Sequence, residues 1–351
     1  MPGLIDAQLN WQFGPDWFGA IDDYVQALRW SPDGRFLAAA SVSGPILVLP
    51  VDEKTAKHNL PGHGMGTHAI AWHPASQHLA SGGQDARVKV WSPDGTLREN
   101  WPGDADWIEH VAWNHAGTRL AWSGGKSVYV RDSATSTLVN APFAFPSTIS
   151  DLAWSPADDR LAVSAYGGVW LWRPGVDSER RTYPWKGASH LMRWSPDARF
   201  LATADQDMTV HFWFTATGID LRMSGFPGKV RALTWSPTSR YLATASGETL
   251  SVWDCMGTTG PEGRAPIILE GPPSTVMSLA YQHAGSYLAA GYQNGSVLLW
   301  SPGSTIDALF TASCPDAGAV VQLDWSPDDR HLAIGTENGD LAIYELKRKS
   351  R

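Results

Sequence analysis

Apolar and polar residues alternate in short bursts along this chain. Residues 25–41 read VQALRWSPDGRFLAAAS, in which an apolar run from Val25 to Trp30 is broken by Ser31-Pro32-Asp33-Gly34 and a second run starts at Phe36. Pro presets φ, Asp bonds its own backbone and Gly tolerates positive φ, so these four residues make a turn between two strands. Gly44-Pro45 turns the chain again, Ile46 to Leu49 is a third run, and the more polar segment Thr55 to Leu60 is a fourth. Short runs bounded by turn residues predict strands, and no stretch sustains the period of a helix.

The same phrase recurs. Its anchor aromatic falls at Trp30, Trp72, Trp113, Trp154, Trp194, Trp235, Tyr281 and Trp325, with spacings of 42, 41, 41, 40, 41, 46 and 44 residues. A fixed period of about 40–45 residues built from strands predicts propeller blades. One copy cannot bury both of its faces, whereas copies stacked in a circle can. Small residues such as Ala38, Ala39 and Ala40 suit close stacking of sheet on sheet, and the anchor aromatics fill the widening space between blades. Each buried indole then needs a partner for its N–H.

The second copy, LPGHGMGTHAIAWHPASQHLASGGQDARVKVW, carries Gly62-His63, a strand ending in Trp72, Ser81, Asp85 in a turn and a closing Trp91. Third runs elsewhere echo its end: VWLWRPG, VHFWFTATG, LSVWDCMG and VLLWSPG. On these motifs the chain resembles the WD40-repeat family over essentially its whole length. Most copies lack the His, the turn Asp is kept at Asp207 but becomes Glu248, Asn294 or Asn338, and the first and third copies lose the closing Trp. The resemblance implies an all-β fold over residues 1–351, a single eight-bladed propeller of four-stranded antiparallel blades. The last copy has three runs, ending in LAIYELK, while AQLNWQF near the start has no blade of its own. The N-terminal segment, about residues 1–24, is therefore expected to supply a strand near residues 8–13 that completes blade eight and hides an open edge.

Composition narrows the function. Hydrophobic residues make up 43% and charged residues 18% of the 351, with a net charge of -8, so a general phosphate-backbone binder is disfavoured. The densest internal basic spot, Arg180-Arg181, reads as a solvated strand edge. Cys255 and Cys314 lie in different repeats and cannot build a disulfide framework or a cysteine zinc site, which suits a reducing compartment. The start does not read as a signal peptide, and no apolar run approaches the ~20 residues of a membrane-spanning helix. A cytoplasmic, monomeric protein without membrane attachment is the expectation.

No catalytic chemistry stands out. His63, Ser81 and Asp85 have the residue types of a hydrolase triad, but the resemblance implies that they form, with Trp91, a buried structural brace. His58, His63, His68, His73 and His78 recur every five residues, a spacing that scatters ligands instead of converging them on a metal. No cofactor signature, phosphate loop or calcium loop is present. The expectation is a non-enzymatic scaffold that holds a protein or peptide on its loop face; the alternative is a small-ligand, metal-binding or catalytic propeller using the channel mouth. The family's contact positions carry over to two sets here. The residue after the start of each first strand gives Gln26, His68, Glu109, Ser150, His190, Arg231, Met277 and Val321. The residue before the turn acid gives Gln84, Gln206, Gln293 and Glu337. Tyr24, Trp107, Tyr166 and Lys229 lie beside them. This mixed set holds no arginine cluster of the kind that clamps a phosphopeptide.

Overall fold

A computed structural model describes residues 10–55, 57–103, 107–139, 141–313 and 318–349. The strands form eight four-stranded antiparallel sheets, arranged as blades around a ring. We letter the strands of each blade a to d from the channel outward. The inner a strands are Val25–Trp30, Thr67–Trp72, Val111–Trp113, Ile149–Trp154, Ser189–Trp194, Val230–Trp235, Val276–Tyr281 and Val320–Trp325. Each therefore ends on its anchor aromatic. Blade one follows with Phe36–Ser41, Ile46–Pro50 and His58–Leu60, close to the runs the pattern predicts.

Blade eight is completed from the far end of the chain. Its strands run Val320–Trp325, His331–Thr336, Asp340–Arg348 and then Trp11–Ala20. The pairing extends from Trp11 opposite Arg348 to Ala20 opposite Asp340, and the Phe13 ring packs 5.2 Å from that of Tyr344. The ring is thus closed by the N-terminal strand, as the incomplete last copy requires. The strand lies later than the expected 8–13, of which residues 8 and 9 fall outside the described residues. The stretch Gly14-Pro15-Asp16 has turn composition, which ends a pattern-based strand at Phe13. In the structure a register shift between Pro15 and Trp17 absorbs the proline, and pairing resumes with Trp17 opposite Ile343. An edge strand is where a residue without an N–H is tolerated.

The core lies between blades. In one cluster Ala27, Ala38, Ala40, Ile46, Val48 and Leu60 of blade one meet Ile70, Trp72, Leu79 and Trp91 of blade two. Small residues on one face receive the large rings of the next, the arrangement that fills a wedge at crystal-like density. The indoles also bond across the gap. Nε1 of Trp30, Trp72, Trp154, Trp194, Trp235 and Trp325 donates to the carbonyl oxygens of Asp324, Arg29, Ala112, Ala153, Arg193 and Ala280 at 3.0–3.3 Å. Each acceptor is the residue just before the anchor of the preceding blade, on the channel-facing edge of its a strand. Trp113 Nε1 and the Tyr281 hydroxyl are buried without such a partner.

The recurring Ser-Pro-Asp phrase closes the a–b hairpin. Ser31 Oγ accepts the Phe36 amide at 2.9 Å and donates to Asp33 at 2.7 Å. Ser195, Ser236 and Ser326 accept the equivalent amides of Phe200, Tyr241 and His331 at 2.9 Å. Blades three and seven use Asn114 and Gln282 instead, accepting from Arg119 and Tyr287 at 2.9 Å. Their longer amides also reach blades four and eight, donating to Asp159 Oδ1 and the Asp329 carbonyl at 3.0 Å.

Deleting residues 1–20 removes the outer strand of blade eight. The variant is expected to lose solubility or to melt at least about 5 °C lower, measured by circular dichroism and size-exclusion chromatography; an unchanged melt contradicts the closure.

Candidate functional site

The a strands leave their inner edges unpaired, and these edges line the central channel. Seven of the eight carry a register shift against their b strand, between Val25 and Ala27, Thr67 and Ala69, Ile149 and Asp151, Ser189 and Leu191, Val230 and Ala232, Val276 and Ser278, and Val320 and Gln322. The skipped residues are Gln26, His68, Ser150, His190, Arg231, Met277 and Val321. A bulge of this kind lifts one residue out of the ladder and re-aims its side chain. All seven, with Glu109 of blade three, border the channel cavities. The structure therefore gathers this whole set around one lumen. Some members cap the free edge of the next blade: His190 Nε2 bonds the Val230 carbonyl at 2.8 Å. Ser278 and Gln322, one residue further along, donate to the carbonyls of Val320 and Gln26 at 2.9 and 3.0 Å.

The d–a and b–c loops share one end of the ring and are bonded to each other. The amides of Gln84, Gln206, Gln293 and Glu337 donate to the carbonyls of Gly66, Ala188, Thr275 and Ala319 at 2.9–3.0 Å. The next blade joins in, with the Ile108 amide on Gly83 O at 3.0 Å and the Val276 amide on Gly247 O at 2.9 Å. Gln206, Gln293, Glu337, Lys229 and Arg231 are exposed on this face, whereas Gln84, Gln26, His68, Glu109 and His190 are half-buried. The two aromatics nearest the first loop separate. Tyr24 is half-buried against the core of blades eight and one, and burial, with Glu337 nearby, raises its hydroxyl pKa. Trp107 stands out of the surface with its ring 5.7 Å from that of His68. Exposed apolar side chains run along the loops of blades two to five: Met65 (77% exposed), Trp107 (50%), Tyr166 (60%) and Met208 (48%). Met65 and Met208 escaped sequence reading because they lie off the repeated contact positions, three residues before His68 and two after Gln206.

The family model for "WD domain, G-beta repeat" matches residues 18–44, 54–92, 188–213, 221–254 and 264–301. The chain carries five WD40 repeats in an eight-bladed propeller. Among curated proteins it is similar to WD repeat-containing protein 1-B of Xenopus laevis, 37% identical over 21% of this chain and 12% of that protein. Actin-interacting protein 1 of Drosophila melanogaster is 34% identical over 20% of this chain and 12% of its own length. WD repeat-containing protein VIP3 of Arabidopsis thaliana is 30% identical over 23% of this chain and 29% of its own. The match thus spans about an eighth of the first two relatives. Among solved structures, the computationally designed Ika8 protein superposes with a TM-score of 0.76 over 93% of this chain and 97% of that one, at 18% identity, a likeness of fold alone.

The WD40 copy in blade two contains one continuous hydrogen-bond chain. His63 Nδ1 bonds Asp85 Oδ1 at 2.7 Å, His63 Nε2 bonds Ser81 Oγ at 2.8 Å, and Trp91 Nε1 donates to Ser81 Oγ at 2.9 Å. Burial lowers the His63 pKa against the pull of Asp85, so the neutral ring donates from Nδ1 and accepts the Ser81 hydroxyl at Nε2. Burial by itself would raise the Asp85 carboxyl, but the His63 hydrogen bond and the Lys89 charge leave it below its ordinary value. The geometry is that of a hydrolase triad, yet Ser81 has no exposed surface and its oxygen already holds an indole. No substrate carbonyl reaches it. Among the described residues no group of three or more His, Cys, Asp or Glu is placed to hold a metal ion.

Blade five rebuilds this brace with different parts. Trp185 stands where the His would be, and the imidazole comes from His211 on strand c, packed 3.9 Å from the Trp185 ring. His211 Nδ1 bonds Asp220 Oδ2 at 2.7 Å. Its Nε2 faces Asp205 Oδ2 at 3.9 Å, and neither atom has another partner. Asp205 is buried, accepts the Ser189 hydroxyl, and has its pKa pushed up to about 7 by burial, against the Ser189 bond and with help from the charge of Asp207.

Two outcomes follow. Asp85→Ala strips His63 of its buried acceptor and is expected to lower unfolding free energy by about 1–3 kcal/mol in urea titrations; no loss contradicts the brace. Asp205 holds its proton more tightly folded than unfolded, so its contribution is complete below about pH 4 and is lost as pH rises through about 7. Asp205→Asn keeps the acceptor for Ser189 without the titration. The wild type minus Asp205→Asn stability difference, measured from pH 4 to 8, should therefore fall with rising pH; a flat or rising difference contradicts the assignment.

Proposed function

We propose that this WD40 propeller is a non-catalytic scaffold that docks a protein or peptide on the face built by its d–a and b–c loops. The carrying observation is the run of exposed Met65, Trp107, Tyr166 and Met208 on loops tied to one another by backbone bonds. Exposed aromatic and thioether side chains on a stiff frame desolvate a partner at little ordering cost. Gln206, Gln293, Glu337, Lys229 and Arg231 around them supply orienting hydrogen bonds and charges of both signs. At the opposite end Leu138, Ile219, Met256 and Ile306 are exposed in c–d loops near the outer circumference, away from the channel mouth.

The WD-repeat relatives support an interaction role in general terms, and the name of the Drosophila relative makes actin one partner to assay. The test is affinity capture from source-cell extract with mass spectrometry, then titration of the identified partner. Trp107→Ala with Tyr166→Ala is expected to weaken binding at least about tenfold, since truncating a hot-spot aromatic removes ~2 kcal/mol or more, with an unchanged melt. Ile219→Ala with Met256→Ala, at the other end, should leave it intact. Loss with the second pair and not the first overturns the assignment of the face.

A further inference from the structure

The channel holds a feature that peptide docking on the loop face does not use. Arg29 of blade one and Arg193 of blade five occupy the same repeat position, directly before the anchor Trp. In a ring of eight blades these two stand on opposite walls. Both are posed alike: Arg29 Nη1 donates to the Leu28 carbonyl and Arg193 Nη1 to the Met192 carbonyl, each at 2.7 Å. Each guanidinium is tethered to the free edge of its own a strand, and both are exposed to the lumen. The lumen holds cavities of about 740 and 680 Å³, and Arg29 and Arg193 border both.

The acids nearby are turned into the wall. Asp151 Oδ2 accepts the Met192 amide at 2.9 Å and one Arg193 N–H at 3.1 Å. Asp324 Oδ2 accepts the Trp30 amide at 2.8 Å, and burial pushes its carboxyl up despite the attraction of Arg29. Both carboxylates serve unpaired amides on the edge of the next blade. Glu109 lies at the level of the bulges, towards the loop-face mouth. Arg231, also at the level of the bulges, is a further exposed cation bordering the lumen; the guanidinium forks of Arg29 and Arg193, each with N–H donors beyond its tether, border both cavities. Low-dielectric walls focus such a field, and a pre-oriented planar fork matches the paired oxygens of a phosphate or carboxylate.

We propose that the central channel binds a small dianionic ligand, bearing phosphate or carboxylate oxygens, between Arg29 and Arg193. Asp151 competes with that ligand for Arg193. The site needs no partner on the loop face, so it stands or falls apart from the docking reading.

Isothermal titration calorimetry of the full chain with inorganic pyrophosphate, and in parallel with succinate, tests this in low salt. Saturable binding of at least one probe at one per chain is expected. Arg29→Gln and Arg193→Gln should each weaken it about tenfold, and the double variant should abolish it, while Arg35→Gln on the a–b turn leaves it unchanged. Asp151→Asn keeps an acceptor for the Met192 amide but frees the Arg193 fork, so it should tighten binding several-fold. A variant that merely folded badly could not give that gain. Absence of binding by both probes, binding indifferent to the double substitution, or weakening by Asp151→Asn overturns the proposal.

Discussion

Each blade ends at the channel in a strand with one unpaired edge, and everything else in this molecule answers to that constraint. A sheet edge with free N–H and C=O groups invites another chain. Here the neighbouring blade satisfies it with side chains. Six anchor indoles reach back to a carbonyl of the blade before. His190, Ser278 and Gln322 reach forward to a carbonyl of the blade after, while Asp151 and Asp324 accept amides there. The bonds are individually modest, about 1 kcal/mol net each, but they tie every step they span to the apolar wedge packed behind it. Between blades eight and one, Asp324 takes both the amide and the indole N–H of Trp30.

The same constraint generates the candidate site. A bulge near the start of the a strand releases one residue from the ladder in seven of the eight blades, and those residues ring the lumen. Side chains left over from capping the edges, Arg29 and Arg193 among them, then give the channel its chemistry. On the loop face, backbone bonds between d–a and b–c loops fix the turns that hold Trp107, Tyr166 and Met208. Rigidity comes from the backbone, and the side chains are free to differ from blade to blade.

Much of the fold was legible because it is written eight times. The period, the anchor positions, the small residues facing them and the missing last strand all follow from strand and turn composition. The closing strand was expected to stop at Phe13 because Gly14-Pro15-Asp16 has the composition of a turn, and only a register shift carries the strand on to Ala20. The contact positions at Gln26, His68, Glu109, Ser150, His190, Arg231, Met277 and Val321 came from family resemblance; nothing local in the sequence marks a bulge. Arg29 and Arg193 read as polar interruptions of half-buried strands until ring closure sets them on facing walls. Asp205 and His211 escaped because their copy keeps the turn acid Asp207 and the closing Trp213, which hides the substitution of Trp185 for the usual His. Asp324 sits in an apolar strand with an unpaired amide of the neighbouring blade as its partner, and no pattern within one repeat announces a partner 294 residues away.

Blade three supplies the internal control for the claim that cross-blade bonds hold the ring. Trp113 occupies the anchor position, yet its Nε1 has no acceptor, and its ring instead meets that of His73 edge-on at 4.9 Å. Trp→Phe at an anchor removes the N–H along with part of the ring, from a buried side chain at Trp154 and a half-buried one at Trp113. Equilibrium unfolding of Trp154→Phe and Trp113→Phe compares an anchor that has the bond with one that lacks it. Trp154→Phe should cost about 1–2 kcal/mol more than Trp113→Phe, because it alone leaves a carbonyl, that of Ala112, without its donor. Equal losses at the two sites would mean that the indoles act through packing alone and that the free edges do not need them.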